Sequence, residues 1–297
     1  MSFVVALAAL ALMGSSQQTA PPRPDESRVG DIEVVGGRSL RQAIDVFTDT
    51  VVAPPRGQNP ARWHDFVCVG AVNLQRDAAQ AIIDRVSQVA LDIGLEIGEP
   101  SCSANILIVG TDDGPAMATA MVDYRPAIFR PGYSGAARSS LQLARFQQTE
   151  APVRWWHVAL PVIADTGVIA VRMPGEDPPV IPGGSLLRTE VRNDLGRAII
   201  IVDFARAGSV SFEQLSDFVA MAAFAQIDPD ADMSAFPSVL NVFDDPGAAS
   251  GLTDWDRAYL TGLYTAELNR RRPSHTAGAI GNIMAQDLQT PATGRGE

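Results

Sequence analysis

A run of branched residues followed closely by a helix without a polar side constrains this chain more than any other feature. Residues 197–204 read RAIIIVDF, and such continuous branched residues make a strand buried on both faces. Ser211-Phe212-Glu213-Gln214 then forms a capping box, with Ser at the cap and Gln three later. The helix it opens, LSDFVAMAAFAQI, runs until Asp228-Pro229 stops it. Its middle, residues 219–225, is apolar on every side, which places it deep in a core. A doubly covered strand and a fully surrounded helix need layers around them. The chain of 297 residues is long enough to supply these, as one large or two small domains.

Upstream, residues 66–72 and 104–110 read as strands, and residues 77–93 between them read as a helix. Ile82, Val86, Val89, Ala90 and Ile93 fall at helical spacing there, and Gly94 is placed to end the helix. This β-α-β unit implies a parallel pair with the helix packed on one face. Ser39 caps a further helix through about Val51, and Thr253 one over residues 253–268. Residues 153–171, VRWWHVALPVIADTGVIAV, read as a hairpin turning at Asp165-Thr166-Gly167, and residues 173–184 as a loop. Residues 111–150 are harder to read, with a helix expected at 114–122. The expected fold class is α+β, with a mixed sheet, a β-α-β unit and one long buried helix.

Residues 3–13 (FVVALAALALM) are an uninterrupted apolar run of 11. That suits a signal-peptide core and falls short of the roughly 20 residues a membrane span needs. The expected organisation is a signal peptide at 1–20, cleaved after Ser16 or Ala20, and a flexible linker at 21–38. One globular domain at 39–270 and a polar, disordered tail at 271–297 complete it. No membrane span is expected after cleavage, and the expected location is the periplasm or the exterior. Export gives Cys68 and Cys102 their simplest reading, one disulfide, since each lies near the start of a strand. Two reduced, buried thiols are the alternative.

All 23 basic residues are arginine and the net charge is −11. Without lysine there is no phosphate-loop, Schiff-base or Ser–Lys chemistry. The acidic balance argues against nucleic acid, which binds clustered cations. His64, His157 and His275 show no i, i+4 spacing that would suggest a shared metal. The Asp228-Pro229-Asp230-Ala231-Asp232 run lacks the glycine and distal glutamate of a calcium loop. Ser134 in Gly132-Tyr133-Ser134-Gly135 has no nucleophile-elbow frame, and the GAIG of residues 278–281 is not a dinucleotide loop.

The order strand, helix, strand, hairpin, strand, long buried helix resembles the zincin metallopeptidases. Their last helix carries H-E-x-x-H, two imidazoles one turn apart and a glutamate as general base. The matching stretch here is Asp217-Phe218-Val219-Ala220-Met221. Asp217 and Met221 stand where the histidines would be, Phe218 stands for the glutamate, and Asp228 is the one candidate for a third ligand. Thioether and lone carboxylate make a poor zinc site, and phenylalanine cannot deprotonate water. The chain also resembles a family of exported bacterial proteins with a zincin-like helix lacking HExxH. That likeness is carried by the Cys68 strand, AIIIVD, LSDFVAMAAFAQID, PSVLNVFDD and LTDWDRAYLTGLY over about residues 60–268. It implies a pseudoenzyme without metal or other cofactor, binding a peptide or protein partner in the cell envelope along a degenerate groove. Zincins bind extended peptide against an edge strand, and Trp155-Trp156 falls where that edge would be, which makes the two tryptophans candidate partner-binding residues. The alternative is a hydrolase, with a Ser or Asp nucleophile paired to His64 or His157.

Overall fold

A computed structural model of the chain describes residues 34–290, apart from residues 36–37, 53, 55–57, 65, 132–138, 173–176, 178, 182, 184 and 209. The expected signal peptide, most of the expected linker and Ser134 lie outside the described residues. The chain opens with two short antiparallel strands, β1 (Val34–Val35) and β2 (Arg38–Ser39), and then α1 (Leu40–Val51). Ser39 caps α1 and Gln42 returns the bond, a capping box. β3 (Val69–Val72), α2 (Arg76–Asp92) and β4 (Ile106–Thr111) form the anticipated β-α-β unit, with β3 and β4 parallel. Gly94 ends α2 at φ +83°, a conformation that glycine adopts without strain.

α3 (Gly114–Tyr124), α4 (Pro126–Phe129) and α5 (Ser140–Gln148) follow. β5 (Val153–Ile163) and β6 (Val191–Asp203) come next, then α6 (Phe212–Phe224), α7 (Asp254–Thr265) and α8 (Pro273–Gln289). The fold is mixed α+β around one four-stranded mixed sheet of order β3-β4-β6-β5. β3, β4 and β6 run parallel, and β5 lies antiparallel at the edge beside β6.

The alternation of side chains across the sheet makes two cores. On one face Val109, Trp156, Val158, Ile199 and Ile201 meet the residues of α3, α4 and α5, including Phe129 and Phe146. On the other, Ile106, Ile108, Val153, Ala198, Ile200 and Val202 meet a larger layer built around α6. As the all-round apolar sequence requires, α6 is buried from Gln214 to Phe224. Its buried C-terminus leaves backbone carbonyls without helical partners. Three side chains satisfy them: His157 Nε2 donates to Ala222 O (2.8 Å), Trp63 Nε1 to Ala223 O (3.0 Å) and the Tyr264 hydroxyl to Phe224 O (3.0 Å).

Cys68 and Cys102 form a disulfide joining the segments that lead into β3 and β4, across 34 residues of sequence. Closing a loop of that size stabilises the fold by about 3–4 kcal/mol through loop-closure entropy.

Two expectations are corrected. Residues 153–171 are not a two-stranded hairpin. The turn at Asp165-Thr166-Gly167 forms, but its return is a single bridge, Val162 to Ile169, and the full-length partner of β5 is β6. The tail is not disordered through its described part. α8 fills residues 273–289 with Thr276, Ile280, Gly281 and Met284 buried, packed on α7 and α1; residues 291–297 lie outside the described residues.

Candidate functional site

The two halves of the Asp217–Met221 stretch do different work. Met221 lies fully in the core. Asp217, 1% exposed, takes a two-pronged pair from one edge of the Arg85 guanidinium on α2, Nε to Oδ1 and Nη2 to Oδ2 (the latter 3.0 Å), and accepts the Leu252 amide at 2.7 Å. The hydrogen-bonded carboxylate raises the Arg85 pKa against its partial burial. Gly251 is required here: a Cβ at that position would come within 2.4 Å of Asp217 Oδ2. Asp217 is thus a strut joining α6, α2 and the chain before α7, with both carboxylate oxygens hydrogen-bonded.

Phe218, one residue on, turns towards β5. Its ring meets Trp155 edge-on at 5.9 Å and Phe243 at 4.9 Å. Asp228, the expected third ligand, is held elsewhere. Its amide donates to Val51 O (2.9 Å) and its Oδ1 accepts the Asp230 amide (3.1 Å). Asp217 and Asp228 therefore serve separate places, and among the described residues no group of three or more His, Cys, Asp or Glu could hold a metal ion.

Trp155 and Trp156 are separated by the pleat. Trp156, 1% exposed, belongs to the core under α4 and α5, where its Nε1 donates to Phe129 O (2.9 Å) and its ring packs on Phe146. As a partner-binding residue Trp156 is corrected to a core residue. Trp155 is half-buried on the opposite face, its Nε1 donating to Ile227 O (3.3 Å). The histidines proposed for hydrolase chemistry are placed apart. His157 is buried with Nε2 committed to Ala222 O, while His64 is exposed on another segment; His275, not part of that reading, is exposed on α8.

Trp155 and Phe218 form the floor of a groove of about 490 Å³. One bank is α5 and the start of β5. The other is the chain after α6, with Ile227, Met233, Leu240 and Phe243 adding apolar surface. Arg145 of α5 and Asp230 form an ion pair between the banks. Arg154 also borders the groove, but its guanidinium is buried, which lowers its pKa against the pull of Asp203. The carboxylates of Asp228 and Asp244 line the groove without an ion-pair partner among the described residues.

The groove lies along an open sheet edge. β5 is the last strand, so alternate residues turn both N–H and C=O away from β6. The Asp203 amide donates to Pro152 O (2.8 Å), which sets the phase: Val153 and Trp155 face outwards. Farther along, the chain closes the same edge itself, with Ile163 N donating to Val168 O and Ala170 N to Pro161 O, both at 2.8 Å. The sequence singled out Trp155 and Phe218 but missed Arg85, Phe243 and Gly251. Arg85 is legible only as a lone cation beside the apolar stripe of α2, and Phe243 as one of the apolar residues in PSVLNVFDD.

Compared with protein families, with curated proteins and with solved structures, the chain matches none.

Proposed function

We propose that this protein binds an extended peptide segment of a partner by strand addition to the outer edge of β5, without acting on it chemically. The observation that carries the reading is the coincidence of the outward-facing strand edge at Trp155, the half-buried position of the pair, with the groove floored by Trp155 and Phe218. Main-chain bonds supply affinity in this mode and side-chain pockets supply selectivity. The aromatic floor suits an apolar side chain. Asp228 and Asp244 suit a cationic one beside it, because neither carboxylate is held in an ion pair among the described residues.

An antiparallel edge strand followed by a buried helix is the arrangement in which zincin-like proteins hold extended substrate, and the α6 stretch is a degenerate form of their motif. Catalysis is not proposed, since Asp217 is saturated by Arg85 and Leu252, Met221 is enclosed in the core, and Phe218 presents only a ring. The disulfide and the apolar leader support an exported protein acting in the cell envelope.

The test is selection of linear peptides from a displayed random library against the full chain. Selected peptides should join an apolar residue to a nearby Arg or Lys, bind the Trp155→Ala variant at least about tenfold more weakly, and remain intact by mass spectrometry with or without Zn²⁺. Enrichment no better than on a bare support would overturn the reading. Cleavage of a bound peptide would favour the hydrolase alternative.

A further inference from the structure

The loop between β5 and β6 carries a second surface, remote in sequence from the groove residues. Its last turn is pinned by backbone bonds to the chain between α7 and α8. Thr189 N donates to Asn269 O (2.7 Å), Arg271 N donates to Leu187 O (3.2 Å), and Arg188 and Arg270 form an antiparallel bridge. The backbone is held, yet Leu186 is 90% exposed and Leu187 77%. Aliphatic side chains held out in water on a pinned backbone gain from any apolar cover, and among the described residues none covers these two.

The charge around them is opposite to that of the molecule. The whole chain carries −11, but here Arg188, Arg270, Arg271 and Arg272 gather. Glu267 pairs with Arg188 at 2.6 Å and with Arg270 at 3.4 Å. Arg271 and Arg272 are exposed, and among the described residues their guanidinium groups pair with no carboxylate.

We propose that this patch seats the protein on an anionic lipid surface, with Leu186 and Leu187 entering the acyl boundary and Arg188, Arg271 and Arg272 lying among the headgroups. Protruding aliphatic tips ringed by cations match the layering of a bilayer interface, where long arginine side chains reach back to the charged layer. A protein partner would instead need its own cavity for two projecting leucines. Two side chains and a few cations give a weak, reversible, salt-sensitive attachment. None of the described helices is long and apolar enough to cross a membrane; the attachment proposed is through these surface side chains. This inference does not rest on the peptide-binding reading, and either can fail alone.

The test is sedimentation of the full chain with vesicles of equimolar phosphatidylglycerol and phosphatidylcholine, and with vesicles of phosphatidylcholine alone. The protein should follow the anionic vesicles, bind the neutral ones far less, and be released at about 0.5 M salt, where screening is nearly complete. The Leu186→Asp/Leu187→Asp and Arg271→Glu/Arg272→Glu variants should each lower the partition coefficient by about tenfold or more. All four side chains are exposed, so unchanged melting curves should accompany the loss. No sedimentation of the unaltered protein with anionic vesicles, or equal binding by either double variant, overturns the proposal. So does a dimer that the leucine variant dissolves in the absence of vesicle binding, since it would assign the surface to a second copy of the chain.

Discussion

Along β5, the stretch from Pro161 onward and the stretch around Trp155 share one strand and one partner, β6, yet the chain finishes their outer sides differently. Past Pro161, residues 168–170 fold back and take the outward amide and carbonyl groups. Around Trp155 no such return exists among the described residues, and the edge faces a groove with aromatic rings at its floor. An unpaired edge is a hazard, because any extended chain can add to it. Where the fold leaves an edge open it limits access, here with α5 on one bank and the Asp228–Met233 chain on the other. The contrast fits the proposed reading, in which the open stretch receives one added strand while the closed stretch is ordinary edge protection.

Four substitutions break or sharpen that contrast. Trp156→Ala, one residue from the groove floor but on the opposite core, should destabilise by about 3–5 kcal/mol in urea unfolding, the usual cost of emptying a large aromatic site. Replacing both cysteines by serine should cost about 3–4 kcal/mol and leave peptide affinity unchanged, because the disulfide lies by β3 at the far edge of the sheet. Asp217→Ala should cost about 3 kcal/mol by stranding Arg85, the low end for a broken buried pair because Arg85 is 30% exposed. Its peptide affinity, by titration calorimetry, should stay within about twofold at a temperature where both proteins are folded, as expected for non-contacting sites. Trp155→Ala should have the smallest stability effect, about 1–2 kcal/mol for a half-buried ring with one long hydrogen bond, and the largest effect on binding. If the two tryptophan variants behave alike, the separation of core from groove is wrong.

What the sequence showed and what it concealed divide along physical lines. Elements specified locally were legible. Ser39, Ser211 and Thr253 each open a helix with their own side chains, and Gly94 closes one with its backbone. The pairing of β5 was not legible. Asp165-Thr166-Gly167 makes a real turn, so the local signal pointed to a hairpin, while the register with β6 depends on contacts across a long loop. α8 was hidden by its glycines. Gly281 punctuates the segment in sequence but serves close packing: a Cβ there would lie 3.2 Å from Ile44, while on the facing α7 a Cβ on Gly262 would fall 2.8 Å from Ile280 O of α8. At the site, Trp155 and Phe218 were visible because one lies on an expected edge and the other on an expected motif. Arg85 was not, because it reaches Asp217 across 132 residues.

Amide hydrogen exchange at β5, read by NMR with and without a selected peptide, tests the central claim most directly. The account predicts that the Ile163 amide is protected in the free protein and unchanged on binding, because Val168 O already holds it. The Trp155 amide, which faces away from β6 on a half-buried residue, should exchange quickly when free and slow markedly when the peptide adds its strand. Peptide binding that leaves the Trp155 amide exchanging as before would contradict it.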